Sequence, residues 1–319
     1  MFMFPGQGAQ YRSMGSDLYE RFDAARRVFD TAVEVLGYDV REQCFEDPRE
    51  ELNFTRFTQP ALLTHHVAAM ESFRELTANS VTAGIAGGHS LGEYSALVAA
   101  GALRFEEALA LVQRRGELMG THGEGEMTAF PLELETIRPL ADKHYCGVAA
   151  CNLKDQTVVG GRSEDLDALG AEVGVLYPRK RVARLKTEGA FHTYYMVAAA
   201  RNFRASLDTA DIRSPHARVL SNYVGGFHDD NTDVIKSRLF FQLFHPVQWI
   251  QCLHAAIDSG VDTIIEFGGG IGRGESPADM RPNLEGIVRK AFRGSESPPE
   301  YHAAINVASL EAAAQLLAT

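Results

Sequence analysis

The chain is 319 residues long, 45% apolar and 23% charged, with a formal net charge of −11. That length buries a large core and suits one big domain carrying a smaller insertion. No apolar run nears the roughly 20 residues that cross a bilayer, and the acidic balance argues against nucleic acid, whose phosphates call for a basic footprint.

Residues 1–4, Met-Phe-Met-Phe, read as a short buried strand running into Pro5-Gly6-Gln7-Gly8, a tight loop where glycine admits conformations other residues resist. No basic leader precedes that strand, so a cytoplasmic location is expected. Helical patterns follow from about Met14 and over 60–76, where Pro60 fits a first helical turn. An apolar run at 81–86 is broken by Gly87-Gly88-His89-Ser90-Leu91-Gly92 and continued by a helical stretch over 93–100. Strand, sharp turn, helix is the α/β signature.

From about Glu124 the texture changes: strand 127–132, helix 135–144, strands 147–152 and 157–160, helix 163–173 and strand 176–185. The order β-α-β-β-α-β matches the ferredoxin-like unit. The expectation is a small ferredoxin-like domain over 124–187, inserted into an α/β-hydrolase-like large domain built from 1–123 and 188–319. The large domain resumes with a helix over 197–207, a strand near 219–223, a long helix ending near Gly260 and a strand over 262–267, while 294–299 reads as a linker. Cys44, Cys146, Cys151 and Cys252 lack both C-x-x-C spacing and the density of a disulfide scaffold, and are read as reduced thiols.

Gly88-His89-Ser90-Leu91-Gly92 fits G-x-S-x-G, the nucleophile elbow, in the strand–turn–helix setting that the motif requires. The helix start aims N–H groups and a positive dipole end at the serine oxygen. The bland alternative is a tight turn with a capping serine. A serine hydroxyl needs a base, and eleven histidines are available. His192, in Gly189-Ala190-Phe191-His192, stands out because the chain there returns from the insertion, although position alone does not choose among the histidines. Arg115 lies on a helical stretch in line with Ala108, Val112 and Met119, so it sits on a partly apolar stripe. Burying it unpaired would cost several kcal/mol, so a carboxylate partner is expected, from a protein glutamate or from a ligand.

Phe4-Pro5-Gly6-Gln7-Gly8, Thr58-Gln59-Pro60-Ala61-Leu62-Leu63, Gly88-His89-Ser90-Leu91-Gly92-Glu93-Tyr94-Ser95-Ala96-Leu97 and Gly189-Ala190-Phe191-His192 together resemble malonyl-CoA:acyl carrier protein transacylases, including free-standing acyltransferases of polyketide synthesis. The resemblance implies Ser90 as nucleophile, His192 as its base, and the backbone N–H groups of Gln7 and Leu91 as an oxyanion hole. It implies that a backbone carbonyl at Gln242 orients the histidine, and that Gln59 and His89 contact substrate. Arg115 would grip the malonyl carboxylate with its planar fork. Phe191 resembles the malonyl-selecting version of its position, where bulk disfavours an α-substituent; Tyr194 and Tyr195 either line the same wall or simply pack.

The implied reaction is ping-pong transfer from a CoA thioester to the phosphopantetheine thiol of an acyl carrier protein, with no tightly bound cofactor and no metal. Rival readings are an editing acyl hydrolase, a catalytically silent carrier-binding module and, more remotely, a lipase-like esterase. Two basic clusters, Arg179, Lys180, Arg181, Arg184 and Lys186, and Arg273, Arg281, Arg289, Lys290 and Arg293, are either docking patches for an acidic carrier or solvated charge. The resemblance lapses after Phe267, where Gly268-Gly269-Gly270-Ile271-Gly272-Arg273-Gly274-Glu275 fits neither the family turn nor a dinucleotide fingerprint, since Arg273 occupies the third glycine position.

Overall fold

The computed structural model describes residues 1–318. Its strands are β1 (Phe2–Phe4), β2 (Ile85–Gly88), β3 (Glu126–Phe130), β4 (Gly147–Leu153), β5 (Gln156–Gly161), β6 (Ala183–Leu185), β7 (Arg218–Ser221), β8 (Gly226–Phe227), β9 (Thr263–Phe267) and β10 (Glu300–Ala304). Two sheets result, in the orders β10-β9-β1-β2-β7-β8 and β4-β5-β3-β6.

The six-stranded sheet is parallel apart from β8, which pairs antiparallel with β7. Parallel strands are covered on both faces and so carry unbroken apolar runs. Phe2–Phe4 is buried throughout, and Phe2, Phe4, Phe73 and Phe267 meet with ring centroids 4.8 to 6.3 Å apart. Such aromatic contacts add to the area each ring buries.

The four-stranded sheet is antiparallel. Its strands alternate sides with period two. Val159 packs with Ile137, Leu166 and Leu169 from helices Leu134–Lys143 and Ser163–Leu176, while Val158 turns to the opposite side and joins the main core. The small sheet is pinned to the rest of the fold at Val247, in the segment between helices Thr232–Gln242 and Trp249–Asp258; the Val247 N–H donates to Ala149 O at 2.9 Å and its carbonyl accepts from Cys151 N at 2.9 Å.

Three sequence expectations need correction. The helix expected from Pro60 starts earlier, at Thr55, and runs to Leu76 with Pro60 in its interior. Its first N–H, at Thr55, is capped from afar by the Glu188 carboxylate. The strand expected over 176–185 is only Ala183–Leu185; Leu176 finishes the preceding helix, and Pro178 with three consecutive cations supplies little to a ladder. The single long helix expected up to Gly260 is two, Thr232–Gln242 and Trp249–Asp258. Pro246 lacks an N–H and restricts His245, which separates them.

Beyond Phe267 the chain adds β10 at the edge of the parallel sheet and a last helix, Val307–Leu317, neither of which the sequence patterns had marked. Gly268 and Gly269 take left-handed φ values of 65° and 64°. Ile271 and Arg281 then exchange two backbone hydrogen bonds at 2.9 and 3.0 Å, closing the divergent segment into a loop. Buried Glu266 ties the far end of that loop back by accepting from the N–H groups of Asn283 at 2.7 Å and Leu284 at 3.0 Å and from the Tyr301 hydroxyl. All four cysteines are free thiols and buried. Among the described residues no helix is long and apolar enough to cross a membrane, and no group of three or more His, Cys, Asp or Glu side chains is arranged to hold a metal.

Candidate active site

β2 ends at Gly88 and helix Gly92–Ala99 begins four residues later. Between them Ser90 has φ 52°, in the left-handed region, which costs an L-residue about 1–2 kcal/mol. The turn is so tight that a Cβ on Gly88 would lie 2.1 Å from the Gly92 backbone, and one on Gly92 would lie 2.2 Å from the Phe4 carbonyl oxygen. Both motif glycines are therefore dictated by backbone contact. Asn222 braces the turn: its Oδ1 accepts from Ser90 N at 2.5 Å and its Nδ2 donates to Gly88 O at 2.8 Å.

Ser90 Oγ lies 2.7 Å from His192 Nε2, and His192 Nδ1 lies 2.7 Å from the Gln242 carbonyl oxygen. A carbonyl only accepts, so Nδ1 carries the proton and Nε2 is left to receive one from the serine. That carbonyl is free because Gln242 ends its helix, whose last carbonyls have no partner within the helix. The next residue contributes too, Leu243 O accepting from His192 N at 3.1 Å. Burial, with a smaller push from the Arg115 charge, lowers the His192 imidazole to about 3. The ring is thus neutral near pH 7, as a proton acceptor must be.

Arg115 is 1% exposed. Its Nη1 donates to Gln59 Oε1 at 2.8 Å, and its Nη2 donates to Gln242 Oε1 at 2.9 Å and to Ser90 Oγ at 3.2 Å. The guanidinium carbon also stands 5.5 Å from the Tyr94 ring centroid. The expected contacting carboxylate is not found among the described residues; neutral amide and hydroxyl oxygens surround the cation instead. Gly116 lets its helix approach helix Thr55–Leu76, since a Cβ there would stand 2.8 Å from the Thr55 carbonyl oxygen. Arg114 points away and pairs with Glu117 at 3.2 Å on the surface.

A cleft of about 780 Å³ opens over Ser90 and takes in every sequence-predicted site residue except Gln242, which stands behind it. Phe191 is 5% exposed on its wall. His89 is held by Asn152, Nε2 to Oδ1 at 2.9 Å. The Gln7 side chain donates to Thr55 Oγ1 at 3.1 Å. The backbone N–H groups of Gln7 and Leu91 donate to no acceptor among the described residues and border the same cleft. Tyr194 and Tyr195 stack on each other at 4.5 Å outside the cleft. The sequence reading assigned no role to Glu93, Asn222 or His228, which pack behind Ser90; the available signal was Glu93 as the only charged residue in Gly92–Ala99.

The family described as acyl transferase domain matches residues 1–267. The chain belongs to the acyl transferase family. This acyl transferase is 38% identical over 301 residues to a malonyl CoA-acyl carrier protein transacylase of Bacillus subtilis, an alignment covering 92% of this chain and 90% of the relative. Its fold superposes on the crystal structure of the transacylase of that name from Clostridium perfringens with TM-score 0.85 and 32% identity, covering 99% of this chain and 96% of the other. It also superposes on a malonyl-transacylase solved in complex with its type II PKS acyl-carrier protein, with TM-score 0.86 and 29% identity over 99% and 98% of the two chains.

Proposed function

We propose that this acyl transferase moves a malonyl-type unit from coenzyme A to the phosphopantetheine thiol of an acyl carrier protein through an ester on Ser90. The observation that carries the reading is Arg115, a buried cation 3.2 Å from the proposed nucleophile oxygen with no carboxylate of the described residues against it. A guanidinium so placed is a receptor for an acyl group that brings its own carboxylate.

His192 Nε2 takes the Ser90 proton as the oxygen attacks the thioester carbonyl. The N–H groups of Gln7 and Leu91 hold the oxyanion, and Gln242 O stabilises the imidazolium through Nδ1. The protonated histidine returns its proton to the departing coenzyme A sulfur. In the second half, the carrier thiol gives its proton to His192 and attacks the ester, and serine leaves with that proton. Arg115 keeps the malonyl carboxylate in register through both halves, Gln59 steadies Arg115, His89 shapes the cleft, and Phe191 limits an α-substituent.

The same reading assigns 124–187 to a ferredoxin-like domain inserted in an α/β-hydrolase-like domain of 1–123 and 188–319, the strand order β4-β5-β3-β6 supporting the first assignment. A cytoplasmic location, where CoA thioesters and carrier proteins meet, belongs with it. An editing hydrolase is disfavoured because clearing monoacyl chains has no use for Arg115.

Intact-mass spectrometry tests the proposal: the protein is mixed with malonyl-CoA, methylmalonyl-CoA or acetyl-CoA, with and without carrier protein, and with Ser90→Ala as control. Malonate should add stably, vanish in Ser90→Ala and pass to the carrier. Equal acetyl loading, or release of free acid with an empty carrier, would replace transfer with hydrolysis.

A further inference from the structure

Glu93 is fully buried directly behind the nucleophile, in the first turn of helix Gly92–Ala99, and no step above uses it. Its Oε1 accepts from His228 Nε2 at 2.7 Å, and its Oε2 accepts from Asn222 N at 2.9 Å and from Gln242 Nε2 at 2.7 Å. The same Gln242 amide presents its Oε1 to Arg115. Carboxylate and guanidinium are therefore joined through one neutral amide and never touch.

A carboxylate in direct contact would satisfy Arg115 and occupy its fork. One set an amide width back still offsets the buried positive charge, yet leaves the fork to amide and hydroxyl oxygens that an incoming carboxylate displaces more easily. We propose that Glu93 is a specificity-determining positioning residue, an internal counterion that holds Arg115 in place between turnovers and moderates its grip on the acyl carboxylate. This rests on the malonyl reading above. The negative charge of Glu93 opposes that of a bound malonyl group but does not act on a neutral acetyl group, so it trims malonyl affinity and keeps the acyl-enzyme transferable.

Glu93→Gln isolates the charge. The new amide oxygen accepts from Asn222 and Gln242, and its NH2 faces His228, whose Nε2 becomes the acceptor when the ring proton moves to Nδ1; among the described residues Nδ1 has no partner to forbid this. Removing one charge an amide width from Arg115, at an effective dielectric of ~20, shifts malonyl affinity on the order of tenfold.

The experiment measures KM and kcat for malonyl and acetyl loading, together with Tm before and after malonyl loading, in wild type, Glu93→Gln and Glu93→Asp. The expected result is a lower malonyl-CoA KM, a higher malonyl-to-acetyl ratio and a larger malonyl-induced rise in Tm for the Gln variant, with Asp keeping the wild-type ratio. Malonyl and acetyl loading that fall together, with the ratio unchanged, would reduce Glu93 to scaffold and overturn the inference. Wild type that does not load malonyl would instead sink the functional reading itself.

If Glu93→Gln alone does not fold, the double variant Glu93→Gln/Arg115→Met decides. Coupled charges predict that the double variant folds and is more stable than Arg115→Met, and a double variant that also fails to fold would refute the coupling.

Discussion

Replacing Arg115 with methionine keeps the length and apolar stem of the side chain and removes the guanidinium. In the proposed acyl-enzyme that group makes two charge-assisted bonds to the malonyl carboxylate, each of about 1.5–3 kcal/mol. Allowing for the water that takes over part of the contact, a net loss of ~3–4 kcal/mol corresponds to a fall in kcat/KM for malonyl-CoA of roughly 10²- to 10³-fold. Acetyl-CoA has no carboxylate to lose, so its kcat/KM should stay within about tenfold of wild type, because Ser90, His192 and the Gln242 carbonyl are untouched. The apo protein should also lose about 3–5 kcal/mol, since Glu93 is left as a buried charge without its counterpart and the Oε1 atoms of Gln59 and Gln242 lose their donor. Steady-state kinetics with both thioesters, alongside urea unfolding, measures the two effects separately. Equal losses for malonyl and acetyl would refute the assignment of Arg115 as the carboxylate receptor.

Three further outcomes are expected. Phe191→Ser should raise the methylmalonyl-to-malonyl loading ratio by roughly 10- to 200-fold, the reach of one methylene in a pocket, and competition between the two thioesters measures it. Reversing charge at Arg179 and Arg181, both exposed on the loop before β6, should raise the carrier-protein KM and leave that for malonyl-CoA alone; unchanged carrier kinetics would remove this patch from the docking surface. Burial raises the Glu266 carboxyl from 4.5 to about 7. The fold thus favours its protonated form, so its contribution to stability is greatest below about pH 4.5 and is lost as pH rises through 7, by about 3 kcal/mol in all. Glu266→Gln should flatten that decline when unfolding free energy is followed between pH 5 and 8, and an unchanged slope would show that other groups govern it.

The elbow is legible in the sequence because its constraints are local: the two glycines face backbone within a few residues, and the strand and helix on either side announce themselves by pattern. Arg115 is legible as a cation on an apolar stripe, but its surroundings are not. Its partners Gln59 and Gln242 come from distant helices, and the carboxylate expected beside it proves to be Glu93 one amide removed. Periodicity gave no means to pick His192 from eleven histidines; that choice came through resemblance, and its physical basis is a helix interrupted before Pro246, which frees the Gln242 carbonyl. The strand expected over 176–185 shrinks to Ala183–Leu185 because Pro178 and three consecutive cations precede it. The region past Phe267 was opaque because β10 is held by pairing with β9, a contact between segments more than thirty residues apart.

Ser90 and His192 both hold left-handed backbone conformations, at φ 52° and 61°, and face each other across one hydrogen bond. The proposed chemistry is therefore kept in opposition to folding stability: the residue type that the backbone at position 90 would favour, glycine, is one that could carry no nucleophile. Across most folded positions alanine is the more stabilising of the two smallest residues. At position 90 that ranking should invert, with Ser90→Gly at least as resistant to urea as Ser90→Ala, although both lose the hydroxyl. A lineage released from the need for catalysis would drift toward glycine at this turn and become sturdier as it fell silent.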